Sequence, residues 1–189
     1  MLTELFLKML NRKAASPRSE AGRIIAGLGL APGLAVADIG SGGGYFSLEF
    51  ARLVGPTGRV YAVDHKSTNL GFVKRRASGA GLNNITFVLA EKNGVDLPEA
   101  SLDLIFSRNS FHHLADPAGY FCGLAKALKP TGAIVIIDHA PGQGFGLVRF
   151  IKHFTPQEKI DRTMASCGFR LGASYDFLPG QTFTVWRPA

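Results

Sequence analysis

Val36-Ala-Asp-Ile-Gly-Ser-Gly-Gly-Gly-Tyr-Phe46 decides the fold. A short apolar run, Ala35 to Ile39, reads as a buried strand, and Tyr45 to Leu53 reads as a helix. Glycines at such a junction let the backbone turn sharply and let a ligand approach the main chain without meeting a Cβ. Alone, the glycines also suit a bare strand-to-helix turn. Two acids raise the loop above that reading. Asp38 stands two residues before Gly40, and Asp64 ends the next strand, Val60-Tyr-Ala-Val-Asp64. An acid in the second position can accept hydrogen bonds from both hydroxyls of a ribose.

Working outward, apolar strand-like runs alternate with helical stretches. Strands are expected at Arg59–Val63, Ile85–Leu89, Leu102–Ser107 and Ala133–Ile137, with helices near Asn69–Ala80, Pro117–Leu128 and Pro156–Cys167. Lys129-Pro130 is expected to stop the second of those helices. Five-residue strands that are apolar on both faces mean a parallel sheet covered on both sides. Phe169–Tyr175 and Thr182–Trp186 have no helix between them and should pair as an antiparallel hairpin. The expected architecture is a doubly wound, mostly parallel seven-stranded α/β sheet with that hairpin at one edge. Two helices, Leu2–Leu10 and Arg18–Leu28, precede it. Residues 1–31 are therefore read as an N-terminal helical extension covering the ligand side, and residues 32–189 as the main domain.

The 189 residues carry 21 Lys plus Arg against 14 Asp plus Glu, a net charge of +7 that permits an anionic partner without demanding one. The basic residues are scattered, and only Lys74-Arg75-Arg76 form a run. No apolar run approaches the length of a membrane span, and the N-terminus lacks a signal-peptide cleavage pattern, so a cytoplasmic protein is expected. Cys122 and Cys167 lie in helical apolar patterns and read as small buried hydrophobes in a reducing compartment, not as a disulfide. The histidines 65, 112, 113, 139 and 153 show no metal-ligand spacing, so no metal site is expected.

The loop also discriminates between ligands. The dinucleotide pattern G-x-G-x-x-G needs glycine where this chain has Tyr45. Asp38 would repel a pyrophosphate but suits a ligand bearing an ammonium or sulfonium, which favours S-adenosylmethionine over NAD. The motif set resembles that of class I S-adenosylmethionine-dependent methyltransferases, in particular the large small-molecule branch that includes ubiquinone and menaquinone biosynthesis methyltransferases. Val36 to Phe46 looks like the family's first motif and Val60 to Asp64 like its acidic second strand. Leu97-Pro98 through Ser107 looks like the fourth-strand segment, and Leu128-Lys-Pro-Thr-Gly-Ala-Ile-Val-Ile-Ile-Asp138 like the turn and fifth strand.

That resemblance implies S-adenosyl-L-methionine as cofactor and S-adenosyl-L-homocysteine as product. Gly40, Ser41, Gly42 and Gly44 would pass beneath the methionine part, Asp38 would meet its ammonium, Asp64 would hold the ribose and His65 would lie beside the adenine. Glu91 falls in the slot that binds the adenine amino group, with Asn93 and Asp96 as rivals because two extra residues precede Leu97. Ser107 would sit near the methionine carboxylate, and Arg108 there or at the substrate mouth.

Phe111-His112-His113-Leu114 follows the fourth strand. His112 is the candidate general base. His113, ahead of Asp116-Pro117, is expected to be the more buried of the two, either structural or touching substrate. Asp138-His139 ends the fifth strand and either orients substrate or simply ends in water. The segment from Ala140 to Thr155 is a candidate lid, with Phe145, Phe150 and Phe154 as covers beside Leu5, Phe6 and Met9. The expected partner is a small-molecule methyl acceptor. A cofactor-binding protein without catalysis, and an RNA- or protein-modifying enzyme, stand as alternatives. The second is disfavoured because Ser107-Arg-Asn-Ser110 replaces an N-P-P-Y-like tetrapeptide, so nucleic acid is possible but not favoured. Oligomeric state is not written in the sequence.

Overall fold

A computed structural model describes residues 2–91, 94–141 and 154–189. The strands make a seven-stranded sheet in the order β3-β2-β1-β4-β5-β7-β6, where β1 is Ala35–Ile39, β2 Arg59–Asp64, β3 Ile85–Leu89, β4 Leu102–Arg108, β5 Leu128–His139, β6 Phe169–Tyr175 and β7 Gln181–Pro188. Pairs β1–β2, β2–β3 and β4–β5 are parallel, whereas β5–β7 and β6–β7 are antiparallel. This is the expected mixed sheet with an antiparallel C-terminal edge. The chain divides into two compact units, Met1–Lys92 and Asn93–Ala189.

In the first unit, β1 and β2 bury Val36, Ala37, Val60, Ala62 and Val63. β-Branched and small side chains suit a sheet interior covered on both faces. Helix α3 (Tyr45–Val54) follows β1 and buries Phe46, Phe50 and Val54, four residues apart on one helical face. Helix α4 (Ser67–Gly79) follows β2 and buries Leu70, Val73 and Ala77 with helical spacing. Helix α1 covers Leu2–Ala14. The expected helix from Arg18 is broken at Glu20, whose φ of 52° is left-handed. A short 3-10 turn, Pro17–Ser19, ends there, and α2 (Ala21–Gly27) restarts with Ile24 N–H donating to Glu20 O at 2.9 Å.

In the second unit, β5 runs through Lys129-Pro130, the dipeptide expected to stop a helix. Helix α5 (Pro117–Ala125) ends earlier instead. Proline cannot donate to a ladder, and the β4–β5 pairing accommodates it by jumping from Leu102↔Leu128 to Leu104↔Ala133. Lys129 Nζ reaches both oxygens of Asp103 at 2.8 Å across that irregularity. Asp116 caps α5 by accepting from Gly119 N–H at 3.0 Å, with Pro117 at the first helical position.

The cysteines depart from expectation. Cys122 on α5 and Cys167, just beyond α6 (Gln157–Ser166), form a disulfide with Cα atoms 4.7 Å apart. Both are half-buried, not the buried core positions expected, and packing α5 beside α6 brings the two sulfurs together, which spacing along the chain does not reveal. Among the described residues, no helix is long and apolar enough to cross a membrane.

Candidate active site

The glycine loop is held on the end of β2. Gly40, Gly42 and Gly44 have φ values of 76°, 52° and 76°, a region that side-chain-bearing residues rarely adopt. Gly40 N–H and Ser41 N–H both donate to Val63 O at 2.9 Å, and Gly44 N–H donates to Ser41 O at 2.7 Å. Packing also dictates the last two glycines. A Cβ at Gly44 would lie 2.5 Å from Val73 of α4, and one at Gly43 would lie 2.5 Å from the Asn11 side chain of α1. Gly43 O accepts from Asn11 Nδ2 at 2.7 Å and from Arg76 Nη1 at 2.8 Å. The N-terminal helix therefore meets the loop through Asn11 and Leu10. Leu5, Phe6 and Met9, the residues expected to do the covering, face outward.

Both loop acids are buried. Asp38 Oδ2 accepts the Ser47 hydroxyl of α3. Burial pushes the Asp38 carboxyl up to about 6; hydrogen bonds from the Ser47 hydroxyl and backbone pull against that rise, and the charge of Asp64 adds to it. Asp64 fastens the loop: Oδ2 accepts Gly42 N–H at 2.9 Å, while Oδ1 accepts Lys66 N–H at 2.9 Å and Asn69 Nδ2 at 3.1 Å. His65 is largely exposed, with Nδ1 3.5 Å from Asp64 Oδ1. Glu91 and Asp96 are exposed, and Asn93 lies outside the described residues.

These features fit a cationic, hydroxyl-bearing ligand. A buried carboxyl whose charged form is penalised gains from a neighbouring ammonium or sulfonium. Ser41 Oγ, also buried, has no hydrogen-bond partner among the described residues, which leaves it available to a polar ligand.

In the second unit, β4, β5 and the turn after β4 assemble a different cluster. His112 Nδ1 lies 2.6 Å from Asp138 Oδ1 and His112 N–H donates to Asp138 Oδ2 at 2.9 Å. Asp138 also accepts Thr155 Oγ1 at 2.8 Å on Oδ2 and His139 N–H at 2.9 Å on Oδ1. The carboxylate is fully buried, and the His112 side chain is only 6% exposed. A carboxylate at Nδ1 makes that nitrogen the N–H donor, so in neutral imidazole the accepting lone pair belongs to Nε2.

The burial expected of the two adjacent histidines is thus reversed: His113 is exposed. Phe111–His113 is a 3-10 turn, not extended chain, so Phe111 takes the buried direction and His112 turns to Asp138. The rings of His112 and His113 lie 4.0 Å apart, and those of His112 and His139 lie 6.0 Å apart. Asp138 thus joins the ring of a residue 26 positions away to the backbone N–H of its neighbour His139. Ser107 Oγ and Ser110 Oγ lie 2.7 Å apart, and Arg108 Nη2 donates to Gln181 Oε1 of β7 at 3.0 Å. Of the candidate lid, residues 142–153, with Phe145 and Phe150, lie outside the described residues. Phe154 is exposed, and Thr155 is buried against Asp138. Among the described residues, no group of three or more His, Cys, Asp or Glu side chains could hold a metal ion.

A mixed sheet with an acid-flanked glycine loop after β1 and a second acid ending β2 defines the Rossmann-like class I methyltransferase architecture. Residues 30–168 match the family model Methyltransf_31, described as a methyltransferase domain. The chain belongs to that methyltransferase family. A ubiquinone/menaquinone biosynthesis C-methyltransferase UbiE of Shewanella halifaxensis is 24% identical over 116 residues, covering 61% of this chain and 46% of the relative. The corresponding protein of Pasteurella multocida is 25% identical over 111 residues, covering 58% and 41%. The chain thus spans about half the length of the curated relatives it matches. Among solved structures, a SAM-dependent methyltransferase from Aquifex aeolicus superposes with a TM-score of 0.80 at 22% identity, covering 94% of this chain and 97% of that one. At that identity the likeness concerns the fold.

Proposed function

We propose that the protein is an S-adenosylmethionine-dependent methyltransferase acting on a small molecule. The observation that carries this reading is the left-handed glycine loop held between two buried acids, one of them a carboxyl raised to about 6. When bound, the cofactor supplies an electrophilic methyl group on a positively charged sulfur. Asp38 would bind the amino group, the backbone of Gly40, Ser41, Gly42 and Gly44 would line the methionine part, and Ser41 Oγ would find its missing partner there. Asp64 would hold the ribose with whatever acceptor capacity its bonds to Gly42, Lys66 and Asn69 leave. His65 and Glu91 remain the adenine-side candidates, and Ser107 the methionine-side candidate after β4.

On the acceptor side, His112 is the general base, with Asp138 fixing its tautomer. Arg108, His113 and His139 are the substrate-contact candidates beside it. A base with its Nδ1–H tied to a carboxylate takes a proton through Nε2, which suits an acceptor that must lose one as it is methylated. The names of the UbiE relatives point to an aromatic or quinone-like acceptor carbon. Residues 1–31 would cover the donor side through Asn11. We place the enzyme in the cytoplasm.

Titration calorimetry with S-adenosylmethionine, S-adenosylhomocysteine and NAD tests the donor. Binding of the first two and not the third is expected, and the reverse would reject the reading. A panel of phenols, quinols and amines with methyl-labelled cofactor then tests transfer. Tight cofactor binding with no labelled product from any acceptor would favour a binding protein without catalysis.

A further inference from the structure

Helix α1 carries two apolar faces, and only one is used within its own unit. The inner face buries Leu7 and brings Leu10 and Asn11 to the glycine loop. The outer face exposes Leu5, Phe6 and Met9 at 67%, 54% and 54%. Met9 follows Leu5 by four residues and Phe6 by three, so it neighbours both on one side of the helix, and an ordinary surface helix keeps that side polar.

Charge identifies the occupant. Lys8 and Arg12, four residues apart, run along one border of the apolar stripe, and Lys13 closes its C-terminal end; all three are exposed. The one acid of this helix, Glu4, is paired with Arg75 of α4, so it does not offset them. Glu20, the remaining acid of the first 31 residues, lies 3.6 Å from Arg23. A short apolar stripe edged by long basic side chains matches the boundary of an anionic bilayer. Leu, Phe and Met enter the acyl region there, while Lys and Arg extend their charged ends to the phosphates. A protein partner or a second copy would be served by the apolar stripe without that basic edge.

We propose that the outer face of α1 is a peripheral docking surface for anionic phospholipid membranes. The helix lies in the interface and does not span it; no described helix could span. Because the opposite face of the same helix holds Gly43 through Asn11, docking sets the glycine loop one helix diameter, about 10 Å, from the lipid surface. This surface is independent of the methyl-transfer reading.

The test is flotation of the full-length protein with vesicles of phosphatidylglycerol and phosphatidylcholine in equal parts, and with pure phosphatidylcholine. Flotation with the anionic vesicles alone, weakening as salt rises, is expected. The triple variant Leu5→Ser, Phe6→Ser, Met9→Ser and the double variant Lys8→Glu, Arg12→Glu should each lower the bound fraction by about tenfold or more. Thermal melts should be unaltered, since all five side chains are exposed. Absence of flotation would overturn the proposal, as would variants that float like the parent protein. A dimer in light scattering that the serine variant dissolves would assign the face to a second copy instead.

Discussion

His112 Nδ1 and Asp138 Oδ1 lie 2.6 Å apart across 26 residues of sequence, with the acid fully buried. Asp138 takes four hydrogen bonds, from the His112 ring and backbone, from Thr155 and from His139 N–H. The arrangement fixes both the orientation and the tautomer of the imidazole. Asp138→Asn keeps the shape but presents an amide that can donate, which allows the other tautomer and misdirects Nε2. With an acceptor that must be deprotonated, the transfer rate should fall by about 10²–10⁴-fold, the range of a general base. Cofactor affinity should stay unchanged. His112→Ala should cost about the same, and the double variant little more, because the two act as a unit. Additive losses in labelled-methyl assays would show that they act separately.

The sheet was legible because its signals are local. Ala35–Ile39 and Ile85–Leu89 have the observed strand bounds: the first ends at the Gly40 turn, and the second is a β-favouring run that begins after Asn84. Pro130 misled because a proline that ends a helix can equally sit at an irregular strand pairing. The split at Glu20 hangs on one left-handed residue, which glutamate does not announce. Within the candidate site, the strand-end acids and the glycines were visible from their positions. The internal partners were not: Ser47 for Asp38, Asn11 for Gly43 and His112 for Asp138 are fixed by packing of distant segments. The phenylalanine before the two histidines was the missed clue, since a large apolar side chain claims the buried direction of the turn.

Asp38 gives a pH signature. Its carboxyl is raised from 3.8 to about 6 by burial, so the folded protein binds that proton more tightly than the unfolded chain. The associated stability is full below 3.8 and is lost as pH rises through about 6. The shift corresponds to about 3 kcal/mol. Asp38→Asn should remove this component, leaving a flatter profile of unfolding free energy between pH 4 and 7. Affinity runs the other way, because an ammonium needs the carboxylate. The cofactor should bind most tightly near pH 7, where carboxylate and ammonium coexist, and its dissociation constant should rise as pH falls through about 6. Calorimetry across that range checks it, and a level profile down to pH 5 would separate Asp38 from the ammonium.

Cys122 and Cys167 close a loop of 45 residues between α5 and the end of α6. Constraining the unfolded chain over that separation stabilises by about 4 kcal/mol in the chain-entropy description, with a usual range of about 2–4. The oxidised protein should therefore melt several degrees above the same protein with reductant. Cys122→Ala with Cys167→Ala should match the reduced form and lose the response. Equal melting of all three would mean that the thiols stay apart in solution.

Asp64 separates loop architecture from ligand contact. Its two oxygens already accept Gly42 N–H, Lys66 N–H and Asn69 Nδ2. Removing the carboxylate orphans those donors before any ribose is considered. Asp64→Ala should thus lower the stability of the ligand-free protein by about 2–4 kcal/mol, since hydrogen bonds to a charged group contribute about 1.5–3 each and do not add fully. The same variant should weaken cofactor binding, because the loop tip at Gly42 loses its tether. Asn69→Ala provides the control, since it deletes one donor and leaves the carboxylate in place. It should cost less than half as much stability and leave cofactor affinity within about threefold, a difference below 1 kcal/mol. Were Asp64→Ala to cost affinity alone, with ligand-free denaturation midpoints unchanged, the carboxylate would serve only the ribose and the glycine loop would be held by its bonds to Val63 O.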